Sequence, residues 1–143
     1  MKKITASELR IGNYIQYITG IDSIVFNTVK EIHGDKVAIS LKEYYDDDGE
    51  MCCGQGFMGI DGIEPIPLTE EWLLKFGWAK EEVYANTYVD NTSFRQAVLS
   101  YDINNKVFGI ESDYDFIEID HIKYVHSFQN LIFALTGNEL TLK

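Results

Sequence analysis

The chain is poor in positive charge: 12 Lys and Arg stand against 23 Asp and Glu, for a net charge of −11. A duplex nucleic-acid binder needs a cationic footprint for phosphates, and this balance does not supply one, so no duplex partner is expected. Anionic membrane surfaces are disfavoured for the same reason. Long apolar runs are also missing. Nothing approaches the roughly 20 residues of a membrane span, and the opening MKKITASELRIGN has no apolar stretch of signal-peptide length. The expectation is a cytoplasmic protein with no membrane partner. Cysteine is scarce, with only Cys52 and Cys53, and adjacent residues do not make a secreted disulfide framework. Proline is scarcer still for the length: Pro65 and Pro67 are the only two in 143 residues.

Aromatic residues are abundant by contrast: nine Tyr, eight Phe and two Trp, with 45% of the chain apolar. A core is therefore affordable without metal or disulfides at this length. Runs of β-branched and aromatic residues alternate through Tyr14–Ile18, Ser23–Ile32 and Lys36–Leu41, with a turn at His33-Gly34-Asp35. In KVAISL, Val37, Ile39 and Leu41 face one way and Lys36, Ala38 and Ser40 the other. Short strands with tight turns predict a bent antiparallel sheet, with an SH3-like barrel as its closed form. Residues 43–67 hold five glycines and both prolines and read as a long loop, with short strands around Met51–Cys53 and Gly62–Glu64.

Thr69, Glu70, Glu71 and Gly77 punctuate a helix whose apolar face is Trp72, Leu73 and Phe76. EVYANTYVD, FRQAVLSYD, KVFGIES and Phe116–Ile119 then read as an antiparallel meander, with Asn104-Asn105 at one hairpin turn. A final helix over Lys123–Thr136 carries Val125, Phe128, Ile132 and Leu135 on one stripe. Asp120 is its expected cap and Gly137 its stop, and Gln129 is placed off the stripe's centre. The fold class is α+β: a bent N-terminal sheet, a connecting helix, and a meander closed by a C-terminal helix. Residues 1–143 are expected to form a single compact unit with sub-regions 1–67 and 68–143.

Three blocks carry a resemblance: LRIGNYI at 9–15, PIPLTEEWLLKFGW at 65–78, and IKYVHSFQNLIFALTGNEL at 122–140. Together they resemble a group of short uncharacterised proteins of anaerobic gut bacteria and their prophages. The resemblance implies a prokaryotic or phage accessory protein of the cytoplasm and transfers no functional residue.

Chemistry-bearing residues are few. Cys52-Cys53 is not a C-x-x-C motif, and nothing in the sequence brings His33, His121 or His126 beside either thiol, as a nucleophilic cysteine requires. Zinc would need about four ligands at finger-like spacing, which the chain lacks. The acidic run Tyr44-Tyr45-Asp46-Asp47-Asp48-Gly49-Glu50 evokes calcium. With Gly49 at the sixth position of a calcium loop, however, Tyr44 falls at the first and Gln55 at the twelfth, and both ends fail. The acidic cluster Glu111, Asp113, Asp115, Glu118 and Asp120 reads as a solvated edge that discourages strand pairing. No catalytic residue, cofactor or metal is assigned. The expected function is non-enzymatic protein–protein binding, with Tyr44, Tyr45, Asp46, Asp47 and Asp48 as a partner-binding patch, since tyrosine is favoured at interfaces. A nucleic-acid-related module or an acidic DNA mimic is the alternative, favoured if Lys30, Lys36, Lys42 and Arg95 share a face. A cysteine-dependent enzyme comes third.

Overall fold

Alternation of side chains decides the N-terminal sheet. In the computed structural model, which describes residues 3–19, 23–40, 44–45, 51–52, 55–84, 86–90 and 97–143, two units form, Met1–Ile66 and Pro67–Lys143. Each has its own sheet. The first unit opens with a single 3-10 turn, Ala6–Glu8, where Glu8 accepts the Thr5 backbone N–H at 2.9 Å. Its strands are β1 (Tyr14–Ile18), β2 (Ile24–His33), β3 (Lys36–Ser40), β4 (Tyr44–Tyr45), β5 (Met51–Cys52) and β6 (Gln55–Gly59). Four of them form an antiparallel sheet in the order β1-β2-β3-β6, while β4 and β5 pair separately.

The sheet is open, with β1 and β6 at its edges, and does not close into an SH3-like barrel. The β1 edge is capped instead by the chain itself. Glu64 exchanges two backbone hydrogen bonds with Gln16, at 3.1 and 2.8 Å. This bridge stands where a short strand over Gly62–Glu64 was expected, just after a 3-10 turn at Ile60–Gly62. The β2–β3 connection is a two-residue loop between the paired His33 and Lys36, with Gly34 at φ 59°. A glycine in the first loop position supplies the positive φ that tight hairpins need.

One face of this sheet builds the core from Ile15, Val29, Val37 and Ile39, closed by Ile4, Leu9 and Ile63. Ala38, expected on the solvent side of β3, is also fully buried. Its partners across the sheet are Glu31 and Phe57. The Phe57 ring also meets His33 edge-on at 5.7 Å, so large outer side chains roof a methyl too short to reach water. The long-loop reading of 43–67 fails at β6, which completes the sheet against β3 in the register Val37↔Met58 and Ile39↔Gly56. Glycines at 56 and 59 hid that strand, because strand propensity penalises them.

The second unit runs α1 (Glu70–Lys75), β7 (Ala79–Lys80), β8 (Thr87–Val89), β9 (Val98–Asp102), β10 (Val107–Glu111), β11 (Phe116–Ile119) and α2 (Val125–Thr136). The five strands lie in the order β11-β10-β9-β8-β7, the expected antiparallel meander. Thr69 stands at the N-cap position of α1 without a side-chain capping bond, and Gly77 stops the helix as the sequence predicts. Gly77 takes φ 84°, its N–H donates to Leu74 O, and Trp78 N–H donates to Leu73 O, which together make a Schellman stop. At the start of α2 the cap is Tyr124, not Asp120, and no side chain caps it. At its end Gly137, at φ 73°, donates to Phe133 O at 2.8 Å.

The stripe of α2 is buried as the spacing predicts: Val125, Phe128 and Ile132 face the core. Phe128 sits at the centre of an aromatic cluster. Its ring lies 5.0 Å from Trp78, 5.7 Å from Tyr101, 6.1 Å from Phe108 and 6.3 Å from Phe76. Gln129 departs from expectation. It is buried, and its Nε2 donates to Leu140 O at 3.3 Å, tying the segment after the helix back onto α2. Among the described residues, no helix is long and apolar enough to cross a membrane.

Candidate functional site: an acid-rimmed trough on the second sheet

Strand alternation in the second unit sends Tyr88, Leu99, Tyr101 and Phe108 into the core. The opposite face therefore carries the intervening residues, and the register sets them in rows. The central row runs Val89, Ser100, Gly109, Glu118 across four strands. On one side lies the row Thr87, Asp102, Val107; on the other, Val98, Glu111, Phe116. Two neighbouring positions in the middle, Ser100 and Gly109, are small, while both flanking rows are larger. A depression follows from that difference in size alone. Its volume is about 350 Å³, and Glu81 and Tyr84 extend its wall beyond β8.

Phe116 forms part of this wall although it is 59% exposed. A Cβ at position 109 would stand 2.6 Å from Ser100 Oγ and 3.3 Å from the Phe116 ring. The glycine thus lets the Phe116 ring lean inward across the strand. A glycine inside a strand commonly marks such a close approach. In the sequence, the glycine within the strand run KVFGIES is the local signal of this close approach.

The charge of the trough is one-sided. Glu81, Asp102, Glu111 and Glu118 line it, and no Lys or Arg does among the described residues. Nor does an ion pair engage Glu81, Glu111 or Glu118 among the described residues. These carboxylates are spread around the rim, and no group of three His, Cys, Asp or Glu side chains converges to hold a metal among the described residues.

Asp102 has a separate duty. Its Oδ1 accepts the backbone N–H groups of Asn104 at 2.9 Å and Asn105 at 3.0 Å, and its Oδ2 accepts Asn105 Nδ2 at 2.8 Å. It builds the β9–β10 turn, in which the positive φ of 58° falls at Lys106 and not at either asparagine. Burial pushes its pKa up. The hydrogen bonds from Asn105 and Asn104 and the charge of Lys106 outweigh that and hold the carboxyl below its ordinary value. A lowered pKa means stability that is present at neutral pH and lost as pH falls through the folded value. Asp102→Asn should therefore cost about 1–2 kcal/mol at neutral pH and flatten the acid limb of the stability curve. Urea midpoints at neutral and acidic pH measure both effects. A variant with an unchanged acid limb would assign the loss elsewhere.

The described residues among those singled out from sequence fall on different elements. Tyr44 and Tyr45 form β4, whose backbone pairs with Cys52 and Met51. Asp46, Asp47, Asp48 and Cys53 lie outside the described residues, as do Lys42 and Arg95. His33 bonds Glu31 at 2.8 Å on the outer face of the first sheet. His126 is buried on α2 beside Ser127, at 3.3 Å, and His121 is exposed ahead of that helix. Of the acidic cluster, Glu111 and Glu118 reach the trough. Asp115 belongs to the β10–β11 turn, where its backbone carbonyl accepts Ser112 N–H at 2.9 Å.

No protein-family model, curated protein or solved structure matches this chain. The reading of function therefore rests on the geometry of the trough.

Proposed function

We propose that the chain is a non-enzymatic accessory protein of bacterial or prophage origin that acts by binding another protein, and that the outer face of its second sheet receives a cationic, partly apolar segment of that partner. One observation carries this reading: a depression of about 350 Å³, lying over Ser100 and Gly109 between apolar side chains, is ringed by carboxylates without a cation among its described lining. Val98, Val107 and Phe116 offer apolar surface, and Glu81, Glu111 and Glu118 offer unneutralised charge. A Lys or Arg side chain meets both demands at once, because its aliphatic stem packs on apolar surface while its head reaches the rim. Phosphate groups would meet only repulsion there.

The test is the affinity of a synthetic nonapeptide of alternating Lys and Val, followed by fluorescence anisotropy. Binding should weaken as salt rises, since rim charges are screened within about 10 Å at 0.1 M. Glu111→Lys and Glu118→Lys should each lower affinity about tenfold, near 1.4 kcal/mol, while leaving the fold intact as exposed substitutions do. An alternating Glu-Val peptide and duplex DNA should not bind. Equal affinity for the two peptides, or indifference to both charge reversals, would overturn the reading.

A further inference from the structure

The trough opens at one side onto β11, the edge strand of its sheet. Residues 116–119 pair with β10 alone, and among the described residues no backbone hydrogen bond beyond that ladder engages them. Their other side is a row of peptide groups able to take a further strand. The side chains there are apolar and exposed: Phe116 at 59%, Ile117 at 54%, and Tyr114, just ahead of the strand, at 94%. Open, apolar strand edges recruit other strands unless something prevents it.

Charge decides which strand can come. Between Lys106 and Lys123 the sequence holds Glu111, Asp113, Asp115, Glu118 and Asp120 and no Lys or Arg. A second copy of β11 laid against the first would bring two segments of the same negative charge together, and like charges held close across strands are destabilising. A strand bearing Lys or Arg meets the reverse situation. The same residues that block self-pairing therefore favour a basic partner, a discrimination built from repulsion as well as attraction.

Register adds a geometric condition. Phe116 and Glu118 face the trough, while Ile117 and Ile119 face the other side of the sheet. In a strand added beside β11, every second side chain would also lie on the trough side, next to Phe116 and Glu118. At about 3.3 Å per residue, four residues of β11 offer an edge of roughly 13 Å, enough for a segment of four or five residues.

The geometry points to strand addition: an extended segment of the partner protein, carrying Lys or Arg at every second position, pairs its backbone with β11 as a sixth strand and lays its basic side chains along the trough. This rests on the trough reading above and specifies how the partner is held. Backbone pairing supplies affinity in this mode and alternate side chains supply specificity.

Two N-methylated forms of the Lys-Val nonapeptide separate the two claims. In one form the amides of the Lys residues are methylated, in the other those of the Val residues. An added strand presents only one of these sets to the β11 edge, so one form should lose about tenfold or more in affinity and the other should bind within a few-fold of the parent. Amide hydrogen exchange of residues 116–119 should slow when the parent peptide is bound. If both methylated forms bind like the parent and exchange at 116–119 is unchanged, strand addition is overturned while side-chain docking in the trough survives. If the parent peptide itself does not bind, the trough reading fails first. Slowed exchange at 116–119 that depends on protein concentration without peptide would make a second copy of the chain the occupant and overturn the proposal.

Discussion

Phe128→Ala should lower the stability of the protein by about 3–5 kcal/mol, a large part of the roughly 5–15 kcal/mol that holds a domain together. The size of the effect follows from position. The ring is fully buried and is the shared neighbour of Phe76, Trp78, Tyr101 and Phe108, which come from the end of α1, the segment after it, β9 and β10. Removing it leaves a cavity bounded by rigid rings, and rigid walls collapse poorly into a void. A 12-residue helix such as α2 is also marginal alone, so its helicity depends on this packing. Phe128→Leu, which keeps most of the volume, should cost considerably less than the alanine change. The thermal midpoint should drop by on the order of 10 °C for Ala, with loss of near-ultraviolet circular dichroism from the aromatic cluster. A loss below about 1 kcal/mol would mean the helix is held by something other than this ring. Gln129→Ala, next along the helix, is not the mild control its sequence position suggested. Its amide is buried and bonded to Leu140 O, so a cost of about 1–2 kcal/mol is expected there as well.

What could be read in the sequence was whatever a period or a cap writes locally. The α2 stripe, the Thr69 and Gly77 positions that bound α1, and the strand-like runs of β3 and β9–β11 all depend on residues within a few positions of one another. Gln129 was misplaced because helical periodicity says which side chains share a face. It does not say that a later segment will return to cover the flank of that face. Ala38 was misplaced for a similar reason: its burial depends on Phe57 and Glu31, which reach it only through pairing between strands. The trough is the clearest case. Ser100 and Gly109 are far from Glu118 and Val89 by the local rules that sequence reading uses, and the row that joins them exists only once four strands take their register. The acidic residues were visible, and so was their edge position. Their role as the rim of a depression needed the pairing, because charge acquires a direction only when the fold gives it a surface.

The second large effect is expected in alkali. Tyr88 and Tyr101 lie in the same buried face that Phe128 packs against, on β8 and β9, and each is about fully enclosed. Burial pushes the Tyr88 phenol up to about 12, with the neighbouring Glu70 carboxylate adding to the shift through a hydrogen bond and its charge. Tyr101 is raised too, chiefly by burial and secondarily by the Asp102 charge, while its hydroxyl donates to Ile122 O at 2.5 Å. A raised phenol pKa favours the protonated form in the folded state. The stabilising contribution is therefore complete below the unfolded pKa of about 10 and is lost as pH rises through the folded value. Above pH 10 the unfolded chain releases these protons while the folded chain retains them. Each tyrosine then removes up to about 1.4 kcal/mol per pH unit. Stability should be nearly flat on approach to this window and fall steeply between about pH 10 and pH 12, with the share of the tyrosinate absorbance that belongs to buried Tyr88 and Tyr101 appearing only together with unfolding. Tyr101→Phe separates this cause from general charge repulsion in an acidic protein. It should be less stable than the parent at neutral pH by about 1 kcal/mol, through loss of the bond to Ile122 O, yet lose stability less steeply in alkali, so that the two curves converge as pH rises. Parallel curves would show that Tyr101 titrates as freely in the fold as in the unfolded chain, and would remove the buried phenol as the source of the alkaline transition.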